Sequence, residues 1–123
     1  EMARRADIFL HPNPGTDLVW LSAVTRYIID QKWEETAFIS TRTNFFDEYR
    51  MSLDKYTLEY AEKITGIRRE DLIRVAETIH SAKNVAIVCA MGITQHQLGS
   101  DTSTAISNLL LVTGNYGRRA RGA

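Results

Sequence analysis

At 123 residues, with 44% hydrophobic and 24% charged side chains, the chain has the size and composition of one ordinary globular domain and can bury a core without covalent staples. Fifteen basic and fifteen acidic residues cancel to a formal charge of zero, which excludes the broad field of a nucleic-acid or membrane-surface binder and gives poor protection against self-association. The single cysteine, Cys89, excludes an internal disulfide and any cysteine-rich metal or iron–sulfur site built by this chain alone.

Ala6 to His11 reads as a short buried strand, because Ile8, Phe9 and Leu10 are consecutive apolar residues. Pro12-Asn13-Pro14-Gly15 forms a turn. An amphipathic helix then runs from Thr16 to about Gln31, with Leu21, Val24 and Ile28 on its inner face and Thr16 or Asp17 as N-cap. Between Trp33 and Gly66 the pattern breaks into several short helices. The last of them starts at Thr57, buries Leu58, Ala61 and Ile64, and stops at Gly66, which suits a left-handed C′ position. Glu70 and Asp71 stand in the first turn of the next helix, where carboxylates complement the dipole; Leu72, Val75, Ala76 and Ile79 make its stripe to about Ala82. Val85 to Ala90 is the second strand, and a last helix covers about Thr102 to Thr113, set up by Ser100 or Asp101 and closed by Gly114.

Strand, helices, strand, helix is a mostly helical variant of a βαβ arrangement, and two strands alone make a poor sheet. The expected fold is therefore α/β: a helix-rich fragment of a Rossmann-like parallel-sheet domain, residues 1–123 forming a single unit of something longer. Glu1 ahead of an internal-looking Met2 agrees with a piece cut from a longer chain. No stretch is apolar enough to span a bilayer, and the start lacks the apolar core of a secretory signal.

Ligands of open α/β sheets bind beyond the carboxyl ends of the strands, which directs attention to the two turns. In Pro14-Gly15-Thr16-Asp17 a glycine admits a ligand to the backbone, free N–H groups head a helix, and a carboxylate can accept from adjacent donors such as the N1 and N2 edge of guanine. The plainer reading is helix capping after a proline-glycine turn. In Met91-Gly92-Ile93-Thr94-Gln95 a thioether, a glycine and an amide follow a buried strand. Gln95 can donate to and accept from a heterocycle, or the loop is merely polar with Met91 filling a gap. His11, His80 and His96 are too scattered to suggest a metal site, Cys89 within its strand reads as an inert buried thiol, and no catalytic or metal-ligating set is apparent. Arg118, Arg119 and Arg121 read as a solvated tail, with phosphate contact as the sharper alternative.

Ala3-Arg4-Arg5-Ala6-Asp7, Pro14-Gly15-Thr16-Asp17, Ala90-Met91-Gly92-Ile93-Thr94-Gln95-His96 and Leu111-Val112-Thr113-Gly114-Asn115-Tyr116-Gly117-Arg118, in that order, resemble successive blocks of the prokaryotic molybdopterin oxidoreductases. The similarity is greatest to the catalytic alpha subunit of molybdenum- or tungsten-dependent formate dehydrogenase, and it extends through Tyr56-Thr57 and Ile64-Thr65-Gly66. The resemblance implies part of a domain that binds molybdopterin guanine dinucleotide, with Gly15, Thr16 and Asp17 at its guanosine end and Met91, Gly92 and Gln95 as further cofactor contacts. It implies a parent that oxidises formate to carbon dioxide with transfer of two electrons to an iron–sulfur cluster outside this segment. Partners so implied are the remainder of the catalytic subunit and iron–sulfur electron-transfer subunits, in the cytoplasm or, for some parents, the periplasm. The segment alone is expected to be inactive. The departure is at Arg118-Arg119-Ala120, where the family pattern has a Gly-Arg-Pro-Gly type sequence. The rival readings are a nitrate reductase or another bis-pterin oxidoreductase, and, in a different class, a helical protein-interaction module.

Overall fold

The computed structural model describes residues 2–117, 119, 121 and 122. After a 3-10 turn at Met2–Arg4 come seven helices among the described residues: α1 (Asp17–Asp30), α2 (Thr36–Arg42), α3 (Phe46–Ser52), α4 (Leu58–Thr65), α5 (Arg69–Ser81), the single turn α6 (Met91–Thr94) and α7 (Gly99–Val112).

Helix α1 is central, packed by α4, α5 and α7. An amphipathic stripe would bury one face, but Leu21, Ser22, Ala23, Val24 and Thr25 are buried in succession because neighbours approach from several sides. Ile28 of α1, Leu72 and Ala76 of α5, Ala61 of α4 and Ile106, Leu109 and Leu110 of α7 complete one apolar cluster. Two fully buried hydroxyls are satisfied within their own helices: Thr25 Oγ1 donates to the Leu21 carbonyl and Thr65 Oγ1 to that of Ala61.

Helix ends follow local chemistry where a side chain can reach. Thr57 caps α4 by accepting from the Tyr60 N–H at 3.0 Å. Gly66 ends it in the left-handed region at φ 75°. Glu70 and Asp71 lie in the first turn of α5. At α7 neither Ser100 nor Asp101 caps; the helix begins at Gly99, three residues before the expected Thr102.

The expected Rossmann-like parallel sheet is not formed. Among the described residues pairing is limited to one isolated parallel bridge, Ala86 with Gly122, in which Ile87 N–H donates to the Gly122 carbonyl at 2.8 Å and Gly122 N–H to that of Val85 at 3.2 Å. The apolar runs are real but unladdered. Leu10, Val85 and Ile87 turn inward onto the helical core, while Phe9, Ala86 and Val88 turn outward. A strand exists only by hydrogen bonding to a neighbour, and among the described residues no neighbour continues along either run. Cys89 is accordingly exposed, not buried within a sheet. No helix among the described residues is long and apolar enough to cross a membrane.

Candidate functional site

The first turn is built on the end of α4. Asn13 N–H donates to the Thr65 carbonyl at 2.8 Å, and Asn13 Nδ2 to that of Ile64 at 3.1 Å. Gly15 takes φ 77°, which an L side chain adopts at a cost. Thr16 occupies the N-cap position of α1 but turns its hydroxyl backward, donating to the Asn13 carbonyl at 2.7 Å. The expected side-chain cap is therefore not made, and the N–H groups of Asp17 and Leu18 head the helix without an intrahelical acceptor. Asp17 is half-buried, with Oδ1 accepting from Trp20 Nε1 at 3.1 Å; Oδ2 has no partner among the described residues.

The second turn is a short helix where the sequence suggested a loop. Ala90 is extended, Ile93 N–H donates to its carbonyl at 3.0 Å, and Gln95 N–H closes α6 onto Met91 at 2.9 Å. Gln95 Nε2 lies 3.4 Å from Met91 Sδ, and Met91 is 66% exposed. Gly92 has an ordinary φ, and a Cβ built there would touch nothing within 4 Å. Neither backbone nor packing therefore requires glycine at 92.

Gly15, Thr16 and Asp17 thus stand together at the head of α1, and Met91, Gly92 and Gln95 together on α6. Their common neighbour is α7, against which both helices pack. No hydrogen bond joins the two groups among the described residues. The larger grooves have other walls: one of about 530 Å³ is lined by Asp7, Ile8, Trp33, Arg74, Glu77 and His80 among others, with His80 stacked on Trp33 at 4.4 Å.

Three residues fix the second turn: Gly99, which the sequence did not mark, Asn115, which it placed in a family block without a role, and Arg121, which it read as part of a solvated tail. Gly99 admits α6 to the start of α7, since a Cβ there would sit 2.2 Å from the Thr94 carbonyl oxygen. Asn115 and Arg121 hold the run before α6, through Val85 and through Lys83 and Asn84 respectively. Arg121 spends its guanidinium on the chain itself rather than in a solvated tail, and Arg118 lies outside the described residues. A polar residue following the Gly114 helix stop was the available signal for Asn115; for Gly99 there was none.

Away from both turns, burial pushes the Tyr49 hydroxyl up to about 12, with the Tyr56 charge adding and side-chain hydrogen bonds to Thr25 and Asn108 opposing. Because the folded value lies above the ordinary 10.0, the folded state holds the proton longer than the unfolded one. Stability is then intact below pH 10 and falls as pH rises toward 12. Alkaline denaturation of Tyr49→Phe should lack this slope, worth about 2–3 kcal/mol at two pH units; equal slopes in both proteins would refute the assignment.

No family model matches the chain. Two similar proteins are "Putative formate dehydrogenase YrhE" of Bacillus subtilis (strain 168), 54% identical, and "Putative formate dehydrogenase SAUSA300_2258" of Staphylococcus aureus (strain USA300), 58% identical. Both alignments take in all 123 residues, which make up 13% and 12% of those proteins respectively. Among solved structures, acetylene hydratase from Pelobacter acetylenicus superimposes with a TM-score of 0.93 over 98% of this chain and 16% of its own, at 21% identity, so the fold is shared. The chain spans about an eighth of the relatives it matches, and over its whole length it corresponds to a segment of proteins named as formate dehydrogenases.

Proposed function

We propose that this chain is a segment of the catalytic alpha subunit of a molybdopterin-dependent formate dehydrogenase and helps to hold a molybdopterin guanine dinucleotide. The observation that carries the reading is identity of 54–58% along the full 123 residues to proteins named "Putative formate dehydrogenase". The donor set at the two turns fits such a group. Asp17 offers an acceptor oxygen not used by Trp20, suited to the paired N–H donors of guanine. The amides heading α1 suit anionic or carbonyl oxygens. On α6, Gly92 leaves its backbone uncovered, and the Gln95 side-chain carbonyl can accept while the amide donates.

When bound, the molybdenum or tungsten pterin supplies the two-electron chemistry that converts formate to carbon dioxide. The residues of this segment bind and orient it; none of them is assigned a proton-transfer or nucleophilic role. The iron–sulfur cluster, the electron-transfer partners and the formate site belong to the remainder of the parent in this reading.

The full-length protein should release guanine nucleotide and contain molybdenum or tungsten on denaturation, and should oxidise formate. Activity with nitrate and none with formate would overturn the substrate assignment. Absence of guanine nucleotide from active protein would overturn the cofactor assignment.

A further inference from the structure

The segment following α7 is tied down at several points. Asn115 is buried and uses its whole side chain internally: Oδ1 accepts from Val85 N–H at 3.1 Å, and Nδ2 donates to the carbonyl and to Oγ1 of Thr113, each at 3.1 Å. Its own N–H donates to the Leu110 carbonyl at 2.7 Å, which fixes the residue to the last turn of α7. Arg121 then reaches back. Nε donates to Asn84 Oδ1 at 2.6 Å, Nη2 to the Lys83 carbonyl at 2.9 Å and Nη1 to the Gly114 carbonyl at 3.4 Å. Gly122 adds the two main-chain bonds to Val85 and Ile87.

Five bonds of this set land on residues 83–87, and the other four, to Leu110, Thr113 and Gly114, fasten Asn115 and Arg121 to the end of α7. Beyond Ile87 support lapses: Val88 is 96% exposed, Cys89 and Ala90 are exposed, and among the described residues the next hydrogen bond is the one from Ile93 to the Ala90 carbonyl at the entry to α6. Three lightly held residues therefore separate the anchored base from Met91. Over so short a span the base sets where α6 begins, while Gly99 sets where it rests.

We infer that Asn115, assisted by Arg121, is a positioning residue for the Met91–Gln95 turn: it clasps the base of the 83–87 run to the end of α7 and so fixes the place from which α6 presents Met91, Gly92 and Gln95. The consequence for cofactor binding rests on the reading given above that this turn meets the guanine dinucleotide. Asn suits the position because one planar amide accepts from the run and donates to the helix end at once. Alanine offers neither, and leaves the half-buried Val85 N–H without an acceptor.

Amide hydrogen exchange of the full-length protein tests the clasp directly. Asn115→Ala should accelerate exchange across residues 85–95 on the order of tenfold, from loss of the bonds that restrain them, while the amides of α1, α4 and α5 keep their rates. Arg121→Ala, which removes three bonds without opening a core cavity, should show the same pattern more weakly. Bound guanine nucleotide should fall several-fold in Asn115→Ala while the amides of α1, α4 and α5 stay protected, which general loosening of the fold would not produce. No local acceleration in either variant, or an equal rise through α1 and α5, would overturn the inference. Full guanine content in these variants and in Asp17→Asn would count against the cofactor reading alone, since the clasp is judged by exchange.

Discussion

Leu110→Ala is expected to lower the free energy of unfolding by about 2.5–5 kcal/mol. Leu110 has no exposed surface and sits in the cluster where α7 meets the central helix. Removing its branched end forfeits transfer free energy and leaves a cavity that α1, held by helices on several sides, cannot collapse to fill. Domains of this size have roughly 5–15 kcal/mol in total, so the loss takes a large share. Val88→Ala supplies the contrast: the residue is apolar and lies within an apolar run, yet is 96% exposed, and its truncation should change stability by less than about 0.5 kcal/mol. Urea denaturation of both variants measures the difference through the midpoint at constant slope. Similar losses in the two would mean that the run at 85–90 is buried and paired after all.

The same two residues show what the sequence could reveal. A helix carries its hydrogen bonds within itself, so spacing and end chemistry suffice to find it. The stripe of Leu21, Val24 and Ile28, the Thr57 cap and the Gly66 stop all reappear in place. A strand carries half of each bond and needs a second segment to supply the rest. Val85 to Ala90 has a strand's apolar character and even its alternation of inward Val85 and Ile87 with outward Ala86 and Val88, but pairing requires a partner along its length, and Gly122 supplies it at one place. Burial of Cys89 was inferred from that missing sheet and fails with it.

The candidate site was legible in its residue types and not in its supports. Gly15, Thr16 and Asp17 announce a turn and a helix head by composition alone. Contacts between residues far apart in sequence leave no such mark. The hold of Asn13 on the carbonyls of Ile64 and Thr65 spans about fifty residues, and that of Asn115 on Val85 spans thirty. The approach of Gly99 to Thr94 is local, but it depends on α6 being helical, and four residues are too few for a periodicity to reveal.

Asp17→Asn in the full-length protein is expected to reduce retention of guanine nucleotide by roughly tenfold to a hundredfold, the effect of losing a charge-assisted contact worth about 1.5–3 kcal/mol. The structure makes asparagine the sharper substitution than alanine. Asp17 already serves the fold, with Oδ1 accepting from the Trp20 indole at 3.1 Å and its charge placed in the first turn of α1. Alanine would remove the indole's acceptor along with the cofactor's and confuse loss of binding with loss of packing. Asparagine keeps an oxygen for Trp20 and differs chiefly at the second position, where an NH2 would meet the guanine N–H donors and repel them. It forgoes the dipole interaction as well, but that is worth only about 0.3–1 kcal/mol, too little to unfold the domain. Guanine content after gel filtration, set against the thermal midpoint of the same sample, separates the two effects. Content at the level of the unmodified protein would show that Asp17 braces the first turn of α1 through Trp20 without touching a nucleotide.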